Sequence, residues 1–456
     1  MISAEKKTGS RKSHQKADPR ALALEMLGRC KELDLHWDRR LEACSPKDRA
    51  LARQLVSGTL RMRGKIDYYL GFFLHANLKN LPPGVRNILR MAVFQLKFCD
   101  RIPDYAVVNE AVEAAGRLSG GRYRSLVNGV LRSLLREWDS VILPDAEKEP
   151  LEFLSVNYSH PRWLVARYLE RFGYQGTEAL LKANNSQAPL VLRSEEALAG
   201  GLSSRGNLRQ MLDEAGIEVS EDAYLPESLV LEGETRRPSE LPGYSEGLFY
   251  VQDEAAMLVV HLAAPETGCV IFDLCAAPGG KATHLARLAG PDSLVVACDL
   301  NRKRLARLKL NLSRLGLGNV RLVASDASRP GVSCADLVLL DVPCTGTGVM
   351  RRKPDLRWRI TEKDLKELAG LQSSILAAGA GCVRPGGALV YSTCSIEPEE
   401  NWGVVSSFLA ANPVFYLDPA DKYLGKKLVS PDGYLETLPH VHGMDGAFAA
   451  RLVRKK

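Results

Sequence analysis

The chain has 456 residues, 45% of them apolar and 25% charged, a soluble balance with room for two to four domains of ~100–200 residues each. No apolar run approaches the ~18 residues of a membrane span, the first residues lack the apolar stretch of a secretory signal, and the ten scattered cysteines (30, 44, 99, 269, 275, 298, 334, 344, 382 and 394) contain no CxxC pair, so a membrane protein, an exported disulfide scaffold and a zinc site are not expected. The net charge of +7 is uneven: residues 1–140 hold 26 Lys and Arg against 15 Asp and Glu, a surplus of 11, whereas residues 141–456 carry −4.

A basic third joined to a mildly acidic remainder is the footprint of a polyanion partner, although a basic surface also serves solubility. The expected compartment is the cytoplasm. Residues 1–17 are polar and basic without periodicity and read as a disordered arm. From Asp18 to Trp138 the pattern is helical. Asp18-Pro19 forms an N-cap and first helical position, Pro46 starts a second helix that reads through to Phe73, and apolar residues recur at three- and four-residue spacing to Trp138. An all-α domain over residues 18–142 follows. Arg86, Arg90, Arg122, Arg124, Arg132 and Arg136 in its second half suit a phosphate-facing surface or a solvated helix face.

A charged, Pro-flanked linker runs from Leu143 to Pro150. Residues 151–250 mix helices (HPRWLVARYLERFG, GTEALLKANN, NLRQMLDEAG) with strands (APLVLRS, ESLVLEG, GLFYVQD) and read as a small α+β subdomain. Over residues 251–456 strand and helix alternate: CVIFDLCA, SLVVACD, VRLVASD, ADLVLLD and ALVYSTC are short apolar runs with helical patterns between most of them. This is the signature of an α/β, doubly wound, Rossmann-like domain with a parallel sheet.

Each of those strands ends in a polar or reactive residue: Asp273, Asp299, Asp326, Asp341 and Cys394. One acid after a strand often only caps the next helix, but five such ends converge on the crevice where open parallel sheets bind ligands. The loop Cys275-Ala276-Ala277-Pro278-Gly279-Gly280-Lys281 after the first strand is neither GxxxxGK[ST] nor GxGxxG. Its glycines let backbone approach a ligand closely. Asp299 suits a pair of ribose hydroxyls, and Asp326 suits an adenine amino group. Adenosine without a pyrophosphate cradle points to S-adenosylmethionine rather than NAD.

The fourth strand runs into Asp341-Val342-Pro343-Cys344, placing a thiol where amine methyltransferases often carry an aromatic residue. A pyrimidine C5 carbon is a poor nucleophile until something adds at C6. A cysteine thiolate can add there, which makes C5 enamine-like toward an electrophilic methyl. Cys344 and Cys394 are the two candidates. The run Met350 to Arg359, with Arg351, Arg352, Lys353, Arg357 and Trp358, suits a loop that grips RNA backbone and stacks a base; a surface charge run around a packed Trp is the alternative. The target base has to leave its stack to reach a thiol. His442 reads as packing or capping.

The motifs DLCAAPGGK, DVPCTGTG with RRKPDLRW, and YSTCSIEPEEN together resemble the RNA 5-methylcytosine methyltransferases. Over residues 18–456 the chain is similar to the bacterial branch that methylates small-subunit (16S) ribosomal RNA and carries a NusB-like RNA-binding domain. The resemblance implies that Cys394 is the nucleophile and that Cys344 assists product release. It also implies that Cys275 to Lys281, Asp299, Asp326 and Asp341 bind S-adenosylmethionine, with Asp341 steadying the cytosine ring at N3. Lys281 contacts substrate or cofactor. No metal is implied. A monomer acting on ribosomal RNA, free or in a pre-ribosomal particle, is expected. The sequence has DVPCTG where the family usually has DAPCSG, and LRSEE where an Arg-Val-Asn stretch is usual, which bears on an RNA contact by Arg193. A non-catalytic RNA-binding or antitermination scaffold, and a 5-methylcytosine methyltransferase acting on another RNA, are the alternatives.

Overall fold

The computed structural model describes residues 18–29, 41, 44–74, 77–100, 102–195, 205–220, 224–234, 236–331 and 333–456; the arm read at residues 1–17 lies outside them. The chain divides into two compact units, Met1–His160 and Pro161–Lys456.

The described part of the first unit is helical, as the periodicity predicts, with helices Pro19–Gly28, Pro46–Arg61, Arg63–Phe73, Pro83–Phe98, Asp104–Ser119, Arg124–Glu137 and Pro150–Asn157. Asp18 caps the first, accepting from the Arg20 amide at 2.9 Å, and Ser45 caps the second. The single helix expected from Pro46 to Phe73 breaks at Met62, where ψ is 8°. The Gly64 amide, an orphan donor in the first turn of the new helix, is satisfied by Ser159 Oγ at 2.8 Å. Lys65 Nζ donates to Asn157 Oδ1 at 2.9 Å, so the Pro150–Asn157 helix packs with this unit beyond the linker. The core is a set of fully buried side chains at helical spacing, including Leu55, Val56, Leu89, Val93, Leu131 and Leu134. Each contributes roughly 1.5–3 kcal/mol of apolar burial. The arginine cluster is not uniformly a phosphate-facing surface: Arg90 is buried and grips both oxygens of Asp67 at 2.6 and 2.7 Å. Arg124 is likewise engaged by Glu113.

The second unit begins with Arg162–Asn185, two helices joined at Gly173 (φ 64°). Strands β1 (Leu190–Ser194), β2 (Ser228–Leu231) and β3 (Phe249–Val251) form an antiparallel sheet in the order β2-β1-β3. Helix Arg205–Glu214 supplies Leu208 and Leu212 to its core against Leu192, Leu229 and Phe249.

The larger sheet contains β4 (Val270–Asp273), β5 (Leu294–Asp299), β6 (Val320–Ala324), β7 (Ala335–Asp341), β8 (Val383–Thr393), β9 (Phe415–Asp418), β10 (Leu435–Thr437) and β11 (Ala447–Arg454). The five strands read from the sequence are its parallel part, ordered β6-β5-β4-β7-β8. The sheet is mixed rather than wholly parallel: β11 runs antiparallel to β8 and pairs on its other edge with β9 and β10. The chain winds outward one way from β4 and the other way from β7, so the switch point of the fold lies between these two strands.

Candidate active site

The carboxyl ends of β4, β7 and β8 meet at this switch point. β4 stops at Asp273, whose carboxyl is fully buried. Burial, and then the neighbouring Asp341 charge, raise its pKa to about 7. Oδ1 accepts from the Cys275 amide at 3.3 Å, while Oδ2 is buried without a hydrogen-bond partner. A buried carboxylate oxygen left open in this way fits a ligand that brings its own donor.

The loop then turns through Gly279 (φ 113°), where a Cβ would lie 2.2 Å from Leu308 Cδ1, so only glycine fits. Helix Gly280–Ala289 starts immediately after. Asp299 ends β5 and accepts from the amides of Ala277 (3.2 Å) and Asn301 (2.8 Å), tying the loop to the second strand. Its carboxylate keeps further acceptor sites. Asp326 lies two residues past β6, exposed. Bonds from the Ser328 amide (2.9 Å) and hydroxyl (2.8 Å) hold its carboxyl below the usual range. Burial, reinforced by Asp273, pushes the Cys275 thiol far up, which leaves it unreactive.

Arg193 of β1 is fully buried and turned toward this loop. It donates to the Gly280 carbonyl (2.8 Å), Thr283 Oγ1 (3.1 Å) and Glu195 Oε1 (3.0 Å). The sequence left an RNA contact by Arg193 open; in the structure its donors fasten the small subdomain to the start of the loop helix.

On the other side of the switch point, Asp341 ends β7. Its Oδ2 pairs with Lys281 Nζ at 2.7 Å, and its Oδ1 accepts from Ser392 Oγ at 3.1 Å. Burial works against the Lys281 charge, but Asp341, Cys394 and Asp273 outweigh it and raise the lysine pKa. β7 and β8 are paired in parallel with Asp341 opposite Ser392. Cys344 and Cys394 follow three and two residues later, and their sulfurs lie 3.2 Å apart. The Cys394 thiol is lowered, first by the hydrogen bond from Cys344, against burial, with Lys281 and Lys353 assisting. Cys344 is raised by the same bond and by burial. The two shifts run in opposite directions, which favours Cys394 as the more readily ionised thiol of the pair.

One buried carboxylate stitches the two cysteine turns together. Glu400 accepts from the Thr345 amide (2.9 Å) and Gln372 Nε2 (3.0 Å), and from the hydroxyls of Thr345 and Ser395. Arg167 holds the adjacent acids Glu397 (3.0 Å) and Glu399 (2.7 Å). Gly348 presses on the same turns: a Cβ there would lie 2.2 Å from the Gly446 carbonyl and 2.8 Å from that of Cys394. Glu400 and Gly446 were not singled out from the sequence. Glu400 sits in an acidic run, EPEEN, that reads as surface until its partners from two other turns are known.

The basic run after Cys344 needs correction. Arg351 and Arg357 are buried. Arg351 pairs with Asp445 at 2.8 Å; Arg352 bridges Asp445 (2.7 Å) and Asp253 (2.6 Å). Arg357 donates to Asn185 Oδ1 (2.8 Å) and the Asn184 carbonyl (3.0 Å). Buried acids and carbonyls face Arg351 and Arg357, so these two guanidiniums brace the protein rather than stand out as a basic surface, whereas Arg352 makes its ion pairs from an exposed position. Lys353 is exposed and Trp358 half-buried. His442 caps as expected, accepting from the Leu438 amide at 2.9 Å.

Comparison with known proteins adds sequence kinship to this geometry. Residues 260–453 match the 16S rRNA methyltransferase RsmB/F family, residues 17–136 the NusB family, and residues 160–236 the ferredoxin-like domain of RsmF/B-like methyltransferases. The chain is 35% identical to a probable ribosomal RNA small subunit methyltransferase B of Synechocystis, covering 92% of this chain and 94% of that one. It is 36% identical to ribosomal RNA small subunit methyltransferase B of Klebsiella pneumoniae, covering 90% and 91%. Among solved structures it is similar to PH0851 (TM-score 0.81, 28% identity, 96% of this chain and 99% of that chain). It is also similar to NSun6 from Pyrococcus horikoshii with SFG (TM-score 0.58, 25% identity, 65% and 98%).

Proposed function

This chain belongs to the RsmB/F family of S-adenosylmethionine-dependent 16S rRNA methyltransferases, and from that premise we propose that it methylates C5 of a cytosine in small-subunit ribosomal RNA through a covalent bond between Cys394 and C6 of the base. The observation that carries this reading is the pair of sulfurs 3.2 Å apart, with the Cys394 thiol lowered and the Cys344 thiol raised.

The Cys394 thiolate adds to C6, and the electron pair of the C5–C6 double bond moves toward N3 and the ring carbonyl. Asp341, reaching the ring from the end of β7, steadies N3 by sharing a proton with it as the electron pair arrives. S-adenosylmethionine, when bound, supplies an electrophilic methyl for C5. The C5 proton then passes to solvent water, the electron pair of its C–H bond re-forms the C5–C6 double bond, and the Cys394–C6 bond breaks with the thiolate as leaving group. Cys344, beside the attacking sulfur, assists that last step. Lys281, paired with Asp341, keeps positive charge next to the thiolate.

The residues present fit the cofactor. The open oxygen of Asp273 suits its ammonium group, the segment Cys275 to Lys281 its close backbone approach, Asp299 the ribose hydroxyls and Asp326 the adenine amine. Lys353 and Trp358 remain as RNA contacts beside the base. In domain terms we assign residues 18–142 to RNA binding, 151–250 (less residues 151–160, which pack with the first unit) to the small subdomain and 251–456 to methyl transfer, with 1–17 as a basic arm. The test is a comparison of Cys394→Ala with Cys344→Ala for methyl transfer and for protein–RNA adducts on a denaturing gel. A reversed assignment, with Cys344 attacking, predicts the adduct in the opposite variant.

A further inference from the structure

Glu227, His261 and His284 come from three separate elements. Glu227 precedes β2, His261 lies on helix Glu254–Ala263, and His284 lies on the helix that follows the cofactor loop. Their ligand-type atoms all lie within 4.8 Å of one another. Glu227 is buried and His284 is completely so. Glu227 Oε1 is 2.6 Å from His261 Nε2 and 3.6 Å from His284 Nε2. Neither ring nitrogen of His284 has a hydrogen-bond partner, an exception among buried polar groups. A buried imidazole is thus aimed at a buried carboxylate across a gap longer than a hydrogen bond.

We propose that Glu227, His261 and His284 form a metal site for a divalent ion of the zinc class. Two imidazoles and a carboxylate are the donor set such ions take, and three protein ligands leave a fourth position for water. Ligand atoms ~2.0–2.2 Å from a tetrahedral zinc stand roughly 3.3–3.5 Å apart. The Glu227–His284 separation of 3.6 Å is already near that spacing, and the shorter Glu227–His261 contact lengthens as the ion inserts. His261 is 27% exposed, which gives the ion an entry path. The ion would brace the small subdomain against the cofactor-loop helix, on which Thr283, the neighbour of His284, already bonds to Arg193. The absence of CxxC spacing concealed this site, because its ligands are assembled by tertiary structure.

The test uses the full-length protein, stripped with a chelator, reloaded with zinc chloride and desalted. Metal is counted by mass spectrometry, and His261→Gln is the control because its side chain is partly exposed and outside the reaction centre. The expected result is one zinc per chain in the parent and a loss of about tenfold or more in the variant. Cobalt is the second probe: a nitrogen and oxygen site gives d–d bands without the thiolate charge-transfer band that the cysteines would produce. Zinc absent from the parent, equal retention by His261→Gln, or a thiolate-dominated cobalt spectrum each overturns the proposal.

Discussion

The sulfurs of Cys344 and Cys394 meet at 3.2 Å because β7 and β8 are parallel neighbours, level at Asp341 and Ser392, and both chains turn into the same crevice just past that level. Buried Glu400 bonds to the residues following both cysteines, Thr345 and Ser395, and so fixes the two turns as one unit. Such a fixed pair suits chemistry that forms and then breaks a sulfur–carbon bond.

In the proposed mechanism Lys281 is a charge that keeps Cys394 reactive. In Lys281→Met the Cys394 thiol rises toward its ordinary value, since the lysine acts to lower it. Methyl transfer at neutral pH then falls, by about tenfold for each unit the thiol rises, and recovers as pH increases. A pH–rate profile with an unchanged lower limb would show that the lysine acts elsewhere.

Asp273 makes the ligand-free protein pH-sensitive. A carboxyl raised from 3.8 to about 7 on folding favours the folded state below its unfolded value and loses that contribution as pH rises through 7. The cost above pH 7 is up to about 4 kcal/mol. Asp273→Asn should therefore flatten the dependence of melting temperature on pH between 4 and 8. It should also weaken S-adenosylmethionine binding at pH 8, measured by calorimetry, because the carboxylate that faces the ammonium group is gone.

The two halves of the basic run separate by assay. Arg351→Ala breaks a buried pair with Asp445 and costs about 3 kcal/mol of stability, read as a lower midpoint in urea. Lys353→Ala leaves the midpoint within about 0.5 kcal/mol and reduces the salt dependence of RNA binding by about one ion. The reverse pattern would return Arg351 to the RNA interface.

Local pattern carried much of this fold. The helical first unit, the three strands of the small sheet and the five parallel strands follow from apolar period and length. The exchange of acids and thiols at strand ends is likewise local, which is why Asp273, Asp341, Cys344 and Cys394 could be named in advance. What was not legible depends on distant partners. β11 is rich in small apolar residues and is specified by its pairing with β8. Arg193, Arg351 and Arg357 have the composition of a nucleic-acid surface, yet acids and carbonyls remote in sequence (Gly280, Asp445 and Asn184) draw them inward. Glu400 reads as solvent-facing until Thr345 and Gln372 are brought to it.

The adduct gel separates the roles proposed for the two thiols. Each single cysteine variant is incubated with 16S RNA and S-adenosylmethionine, then resolved under denaturing conditions. With Cys394 attacking and Cys344 releasing, a covalent protein–RNA band accumulates in Cys344→Ala, and neither adduct nor methylated product forms in Cys394→Ala. An adduct in Cys394→Ala, or methyl transfer retained by it, would rule out Cys394 as the attacking thiol.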